Sequence, residues 1–266
     1  MIQIRLPRLA TFILGLFFGL ALIAPLPFVV LTPGSAQDVL TKVITPSKKS
    51  LVTPTFYQGD GKIYLLSILI TNPSAYVTGF ELIYSWMRSD YSVMPRSLYY
   101  KDGRSAEAEK KIAKTEMVDS QLSAKVAALN YLENNYPQLG TSKITPSDIE
   151  ISLAKTGGPS GGLAFALGIV ELLTPENILK GRIVATTGTI DEKGGVGSIG
   201  GIAEKILAAK KAGATIFIVP ERNCKDLAPS VAKIPDGIKI VAVSSLEEAI
   251  SALNSNRPRS CANLGA

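Results

Sequence analysis

The chain has 266 residues, 46% hydrophobic and 19% charged, which is enough apolar material for at least one full core. Its net charge of +6 is spread along the sequence, with no basic stripe interleaved with aromatics, and this argues against nucleic acid as a partner. There is no histidine, and the two cysteines, Cys224 and Cys261, lack metal-ligand spacing. Imidazole catalysis and a cysteine–histidine metal centre are therefore excluded within these residues.

No charge falls between Leu9 and Gln37, and the apolar run Leu9–Leu31 is about as long as a bilayer-crossing helix requires. It exceeds the apolar region of a cleaved signal peptide, and Arg5 and Arg8 precede it. The sequence thus predicts a single-pass transmembrane helix over 1–32, bent near Pro25 and Pro27, with the remainder of the protein at the cell membrane's extracytoplasmic side. Thr32-Pro33-Gly34 reads as a turn opening a small β-rich segment, 33–104. Within it, Lys48–Phe56 and Lys62–Thr71 flank Gln58-Gly59-Asp60-Gly61 as a hairpin, and Asn72-Pro73 ends the second strand. Gly79–Arg88 fits a short helix or another strand, and the single tryptophan, Trp86, reads as a packing residue.

A long helix is predicted over Ser105–Asn134, with a charged linker at 105–115 followed by Met117, Leu122, Val126, Leu129 and Leu132 at helical spacing. Pro137 and Gly140 close it. Strand and helix then alternate: strand Asp148–Leu153, helix Ser160–Leu173, strand Arg182–Ile190, helix Ile202–Ala212, strand Thr215–Val219, strand Lys239–Val243 and helix Leu246–Leu253. This alternation predicts an α/β domain over 116–256, followed by a tail at 257–266. Cys224 and Cys261 are compatible with a disulfide, with structural thiols or with a chance pair.

The chemistry concentrates in Thr156-Gly157-Gly158-Pro159-Ser160-Gly161-Gly162, where a strand hands over to a helix. Helix N-termini present unpaired N–H groups, and glycines let a substrate carbonyl approach them, so such a turn suits an oxyanion hole built on Gly158, Ser160 and Gly161. Serine is also a favoured helix cap, which is the competing structural role for Ser160. Without histidine, a nucleophilic serine needs another base, a lysine or a carboxylate, and the Ser-Lys pair is a known arrangement. Lys205 lies beside the apolar residues Ile202, Ile206 and Leu207 of its helix. It is either a snorkelling surface residue or a base whose ammonium is desolvated enough to lose its proton.

These residues resemble the proteolytic domain of Lon proteases, the Ser-Lys endopeptidases. Gly158-Pro159-Ser160-Gly161-Gly162 matches the nucleophile motif, usually Gly-Pro-Ser-Ala-Gly, with Gly161 where alanine is usual. Thr186-Thr187-Gly188-Thr189-Ile190 is similar to the family's Thr-Gly-Glu-Ile strand, with Thr189 replacing the glutamate. Gly200-Gly201-Ile202-Ala203-Glu204-Lys205 is similar to Gly-Gly-Leu-Lys-Glu-Lys, whose last lysine is catalytic, and Ala209–Gly213 and Ile218-Val219-Pro220 continue the likeness. The resemblance covers about half the chain. It implies an α+β Lon-type fold with Ser160 as nucleophile, Lys205 as general base and Thr187 supporting the lysine, and it needs neither cofactor nor metal.

The resemblance also implies a homo-oligomeric ring acting on unfolded or membrane-proximal protein substrates, with the lipid bilayer as a further partner. The chain carries no Walker A motif. It is similar to bacterial membrane-anchored Lon-like proteins, with neither an ATPase nor a PDZ module expected. Two other readings stand beside the peptidase. One is a non-catalytic, membrane-tethered interaction protein that keeps the fold. The other is dinucleotide binding through Gly195-Val196-Gly197-Ser198-Ile199-Gly200, which fits G-x-G-x-x-G with Glu221 further on. Asp191–Gly194 separates that motif from its strand, and the Lon resemblance implies instead a hairpin or loop leading into the lysine helix.

Overall fold

A computed structural model describes residues 7–50, 52–101, 103–153, 156–227 and 234–261. In chain order the elements are α1 (Arg8–Ile23), β1 (Pro25–Leu26), β2 (Phe28–Asp38), β3 (Ile44–Pro46), β4 (Lys62–Ile70), β5 (Val77–Thr78), α2 (Gly79–Met87), β6 (Ser92–Pro95), α3 (Ala106–Asn135), β7 (Ile149–Ile151), α4 (Gly162–Leu173), β8 (Ile183–Thr186), β9 (Thr189–Ile190), β10 (Val196–Gly197), α5 (Ile202–Lys211), β11 (Ile216–Pro220), β12 (Lys239–Val243) and α6 (Leu246–Asn254). The fold is mixed α/β. Two compact units divide the chain, one of Met1–Thr32 and Leu69–Glu109, the other of Pro33–Ile68 and Lys110–Ala266.

In the smaller unit the expected transmembrane helix is not found. Helix α1 has 16 residues, about 24 Å at ~1.5 Å per residue, short of the ~30 Å hydrocarbon layer. Among the described residues no helix is long and apolar enough to cross a membrane. The cause is local. Ala24, which precedes Pro25, leaves the helical region at ψ 135°, as a residue before proline tends to do. The rest of the apolar run then goes into strands: Pro25–Leu26 pairs with Val77–Thr78, and Phe28–Leu31 pairs antiparallel with Ser92–Pro95. Placement as a single-pass membrane protein with an extracytoplasmic catalytic domain falls with that span.

Gly79–Arg88 resolves as helix α2, which starts at a capping box in which Thr78 Oγ1 accepts from Glu81 N–H and the Glu81 carboxylate accepts from Thr78 N–H. It begins on glycine because a Cβ at Gly79 would lie 2.1 Å from the Ala21 carbonyl oxygen of α1. Trp86 is 71% exposed, so it is not the packing residue its type suggested.

The larger unit is built on a parallel sheet. Strand β4 pairs with β8, β8 with β11 and β11 with β12, all parallel, with Ile63 opposite Val184 and Phe217 opposite Ile240. Alternate residues feed two cores, as a sheet covered on both faces requires. Ile63, Leu65, Val184, Ile218, Val241 and Val243 pack with α3, α4 and α6, while Leu66, Ala185, Phe217, Val219 and Ile240 pack with α5. Every residue of α4 is buried. Its one acid, Glu171, accepts from Ile178 N–H at 3.1 Å, and burial pushes its carboxyl above the ordinary carboxylate range.

Several expected elements differ. Thr32-Pro33-Gly34 lies inside β2 rather than in a turn. No strand forms among the described residues of Lys48–Phe56, and Gln58–Gly61 is not a hairpin, because β4 takes its neighbours from β2 and the distant β8. Of the stripe expected on α3, Met117, Leu129 and Leu132 are buried and Leu122 is exposed, and Ser120, Ala124, Ala127 and Ala128 complete the buried face. Arg182–Ile190 is two strands, with the chain turning away after Thr186. Cys224 and Cys261 form a disulfide with Cα atoms 5.1 Å apart, which decides among the alternatives for that pair. It joins the 3-10 turn Glu221–Leu227 to the C-terminal segment, where Arg259 O accepts from Ala242 N–H at 3.0 Å and its guanidinium meets Glu221 at 3.0 Å.

Candidate active site

The serine turn is held from two sides. Gly158 has φ 86°, a conformation open to glycine and costly for a residue with a Cβ. Helix α4 starts at Gly162 with Gly161 as its cap and no side-chain cap bond, so Ser160 is not used as the N-cap. The Ser160 carbonyl oxygen accepts from Gly188 N–H at 2.9 Å and from the Thr187 hydroxyl at 3.1 Å, and Leu163 N–H returns a bond to Gly188 O at 3.1 Å. These bonds tie the turn to the break between β8 and β9. From α3, the Ala113 carbonyl accepts from Gly158 N–H at 2.8 Å, and the Ser120 hydroxyl donates to Pro159 O at 2.9 Å.

Helix α5 supplies the lysine. Lys205 is only 2% exposed, and its Nζ lies 2.9 Å from Ser160 Oγ and 3.0 Å from Thr187 Oγ1. Thr187, the residue just after β8, has no exposed surface. The structure thus brings Ser160, Thr187 and Lys205 into one hydrogen-bonded cluster, while Ser160 itself remains partly accessible. Burial lowers the Lys205 ammonium from its ordinary value to about 8, and the negative charge of the neighbouring buried Glu204 pulls in the opposite direction. Desolvation wins because an ammonium among apolar side chains loses far more hydration than one carboxylate returns.

The three expected oxyanion donors are not equivalent. Gly158 N–H is engaged by Ala113 O, whereas the Ser160 and Gly161 N–H groups sit on the peptides that begin with the Pro159 and Ser160 carbonyls. Thr189, which stands where the family has glutamate, pairs with Gly197 across the β9–β10 hairpin, away from the lysine bonds. That hairpin also disposes of the dinucleotide motif. Val196-Gly197 forms a strand that pairs back on β9, and Gly195 N–H donates to the Asp191 carboxylate at 2.8 Å, so these glycines do not form a phosphate turn. A cleft of about 800 Å³ opens nearby, lined by Thr189, Asp191, Gly197, Glu221, Arg222 and Lys225 among others. Its lining does not include Ser160 or Lys205.

Sequence reading gave no role to Ser120, Ala113 or Glu204. Ser120 was signalled only by its place three residues after Met117, on the face that α3 buries.

Residues 104–255 match the family of Lon protease (S16) C-terminal proteolytic domains. The chain is 36% identical over 155 residues to Lon protease 2 of Bacillus subtilis (strain 168), a match covering 55% of this chain and 27% of that protein. It is 32% identical over 138 residues to a Lon protease of Rickettsia typhi, covering 50% of this chain and 17% of the relative. Over 93 residues it is 42% identical to a Lon protease of Trichlorobacter lovleyi, covering 35% and 11%. The chain thus spans about a quarter or less of the length of these relatives.

Proposed function

Because the chain belongs to the Lon protease (S16) proteolytic-domain family, a family of serine-type endopeptidases, we propose that Ser160 is its nucleophile and Lys205 its general base. The observation that carries this reading is the 2.9 Å approach of the buried Lys205 Nζ to Ser160 Oγ. A serine hydroxyl is a weak nucleophile until an adjacent base takes its proton. With its ammonium lowered to about 8, Lys205 reaches the neutral state near physiological pH.

In the acylation step the neutral Nζ accepts the Ser160 proton as Oγ bonds to the scissile carbonyl carbon. The carbonyl oxygen takes the negative charge and meets the Ser160 and Gly161 N–H groups. Collapse breaks the C–N bond, and the Lys205 ammonium returns the proton to the departing amine. Water then attacks the acyl-enzyme, with Lys205 again taking and returning a proton. Thr187 keeps Nζ aimed at Oγ by accepting one of its protons. The substrates are extended segments of unfolded protein, and the active form is a homo-oligomer, both carried over from the resemblance.

The test is hydrolysis of casein and a fluorogenic peptide by the full chain, alongside Ser160→Ala and Lys205→Ala, with a fluorophosphonate probe for serine. Hydrolysis and labelling by the wild type, abolished in both variants, is the expected result. Wild-type turnover surviving either substitution refutes the dyad. No hydrolysis and no labelling in any oligomeric state leaves the non-catalytic interaction protein as the better reading.

A further inference from the structure

We propose that Ser120 is a positioning residue for the oxyanion hole, acting through the Pro159–Ser160 peptide; this rests on the assignment of Ser160 as nucleophile. Ser120 lies on α3, far from the serine turn in sequence, and is 6% exposed. Its hydroxyl donates to Pro159 O at 2.9 Å. That carbonyl belongs to the same planar unit as the Ser160 N–H, and in a trans peptide the two point in opposite directions. Holding the oxygen from behind therefore sets the direction in which the Ser160 N–H faces a substrate. A hydrogen bond to the back of a rigid plane controls the donor on its front.

The next peptide is held in the same way. The Ser160 carbonyl receives Thr187 Oγ1 and Gly188 N–H, which fixes the Gly161 N–H. The two donors left for the oxyanion thus have separate supports, Thr187 with Gly188 for one and Ser120 for the other. Pro159 O also accepts Gly162 N–H, but at 3.3 Å, within the turn itself. Ser120 supplies the shorter bond and the one anchored outside the turn. Gly162 lies close against this bond, since a Cβ there would come within 2.9 Å of Ser120 Oγ.

Preorganised donors stabilise a developing oxyanion because they need not reorient during reaction; deleting one costs about 10²–10³ in kcat, and loosening one should cost about tenfold. The experiment compares the full chain with Ser120→Ala and Ser120→Thr by three readouts: kcat and KM on a fluorogenic peptide, affinity for a peptidyl boronate that forms a tetrahedral anion on serine, and hydrogen exchange of the segment 156–163. Ser120→Ala should lower kcat about tenfold, with KM within about twofold, weaken the boronate by the same factor and speed exchange in that segment alone. Ser120→Thr, which keeps the donor, should recover most of the loss. The pH dependence should stay where it is, because the lysine bonds are untouched.

The proposal is overturned if Ser120→Ala retains wild-type kcat, if boronate affinity is unchanged while kcat falls, or if Ser120→Thr is as impaired as Ser120→Ala. Should Ser160→Ala hydrolyse like the wild type, the dyad assignment fails separately. Exchange in 156–163 then decides for Ser120, with an unchanged rate in Ser120→Ala counting against it.

Discussion

Raising the pH from 7 to 9 should increase kcat/KM about tenfold and then reach a plateau. Lys205 must be neutral to accept the Ser160 proton, and burial brings its pKa to about 8. About one lysine in eleven is then neutral at pH 7 and about ten in eleven at pH 9. An unperturbed lysine, with a pKa near 10.4, would instead give a rise of about a hundredfold over the same interval and no plateau below pH 10. Glu204→Gln sharpens the test. Its negative charge holds the ammonium up, so removing it should move the limb to lower pH and raise activity at pH 7, by no more than about tenfold because the neutral fraction cannot exceed one. The assay is initial rate on a fluorogenic peptide from pH 6 to 10.5 at constant ionic strength. A flat or falling profile between pH 7 and 9 refutes a lysine base, and a limb centred above pH 10 refutes the desolvation on which the magnitude rests. Stability follows with a definite sign. The unfolded chain binds more protons than the folded one between about pH 8 and 10.4, so the Lys205 contribution is fully present above that window and lost as pH falls through about 8. Relative to Lys205→Met, wild-type unfolding free energy in urea should rise by roughly 3 kcal/mol across the window.

Three further outcomes are expected. Thr187→Val removes the bond from Lys205 Nζ and the one to Ser160 O; at about 1 kcal/mol each, kcat should fall about thirtyfold with an unchanged circular dichroism spectrum. Gly162→Ala places a Cβ 2.9 Å from both the Ile190 backbone nitrogen and Ser120 Oγ, and this overpacking should cost about 1–3 kcal/mol, read as a drop in urea midpoint at constant m-value. Reducing the Cys224–Cys261 disulfide, which spans 37 positions, should lower stability by about 3–4 kcal/mol, the chain entropy released to the unfolded state, with denaturation compared with and without dithiothreitol.

Short-range pattern was enough for much of the catalytic half. The glycine turn before the apolar run Leu163–Leu173, the strand–helix alternation after it and the Gly-Gly-x-x-Glu-Lys order are all local features, and through their likeness to Lon motifs they pointed to Ser160 and Lys205. Local reading failed where partners are remote. Lys48–Phe56 carried strand-like residues, but β4 finds its neighbour in β8, more than a hundred positions away. The run Leu9–Leu31 matched a membrane span in hydropathy, yet Pro25 ends the helix at Ile23 and strand pairing claimed the remainder.

By itself, then, the sequence excluded histidine as the base and, through the likeness of its motifs to Lon proteases, put Ser160 and Lys205 forward as a pair, because residue identity and motif order are written along the chain. Only the tertiary structure decided that Lys205 is dry and that Ser120 on a separate helix donates to Pro159 O behind the Pro159–Ser160 peptide. Desolvation and hydrogen-bond direction arise where α3, β8 and α5 converge on the serine turn, and no single stretch of sequence contains that convergence.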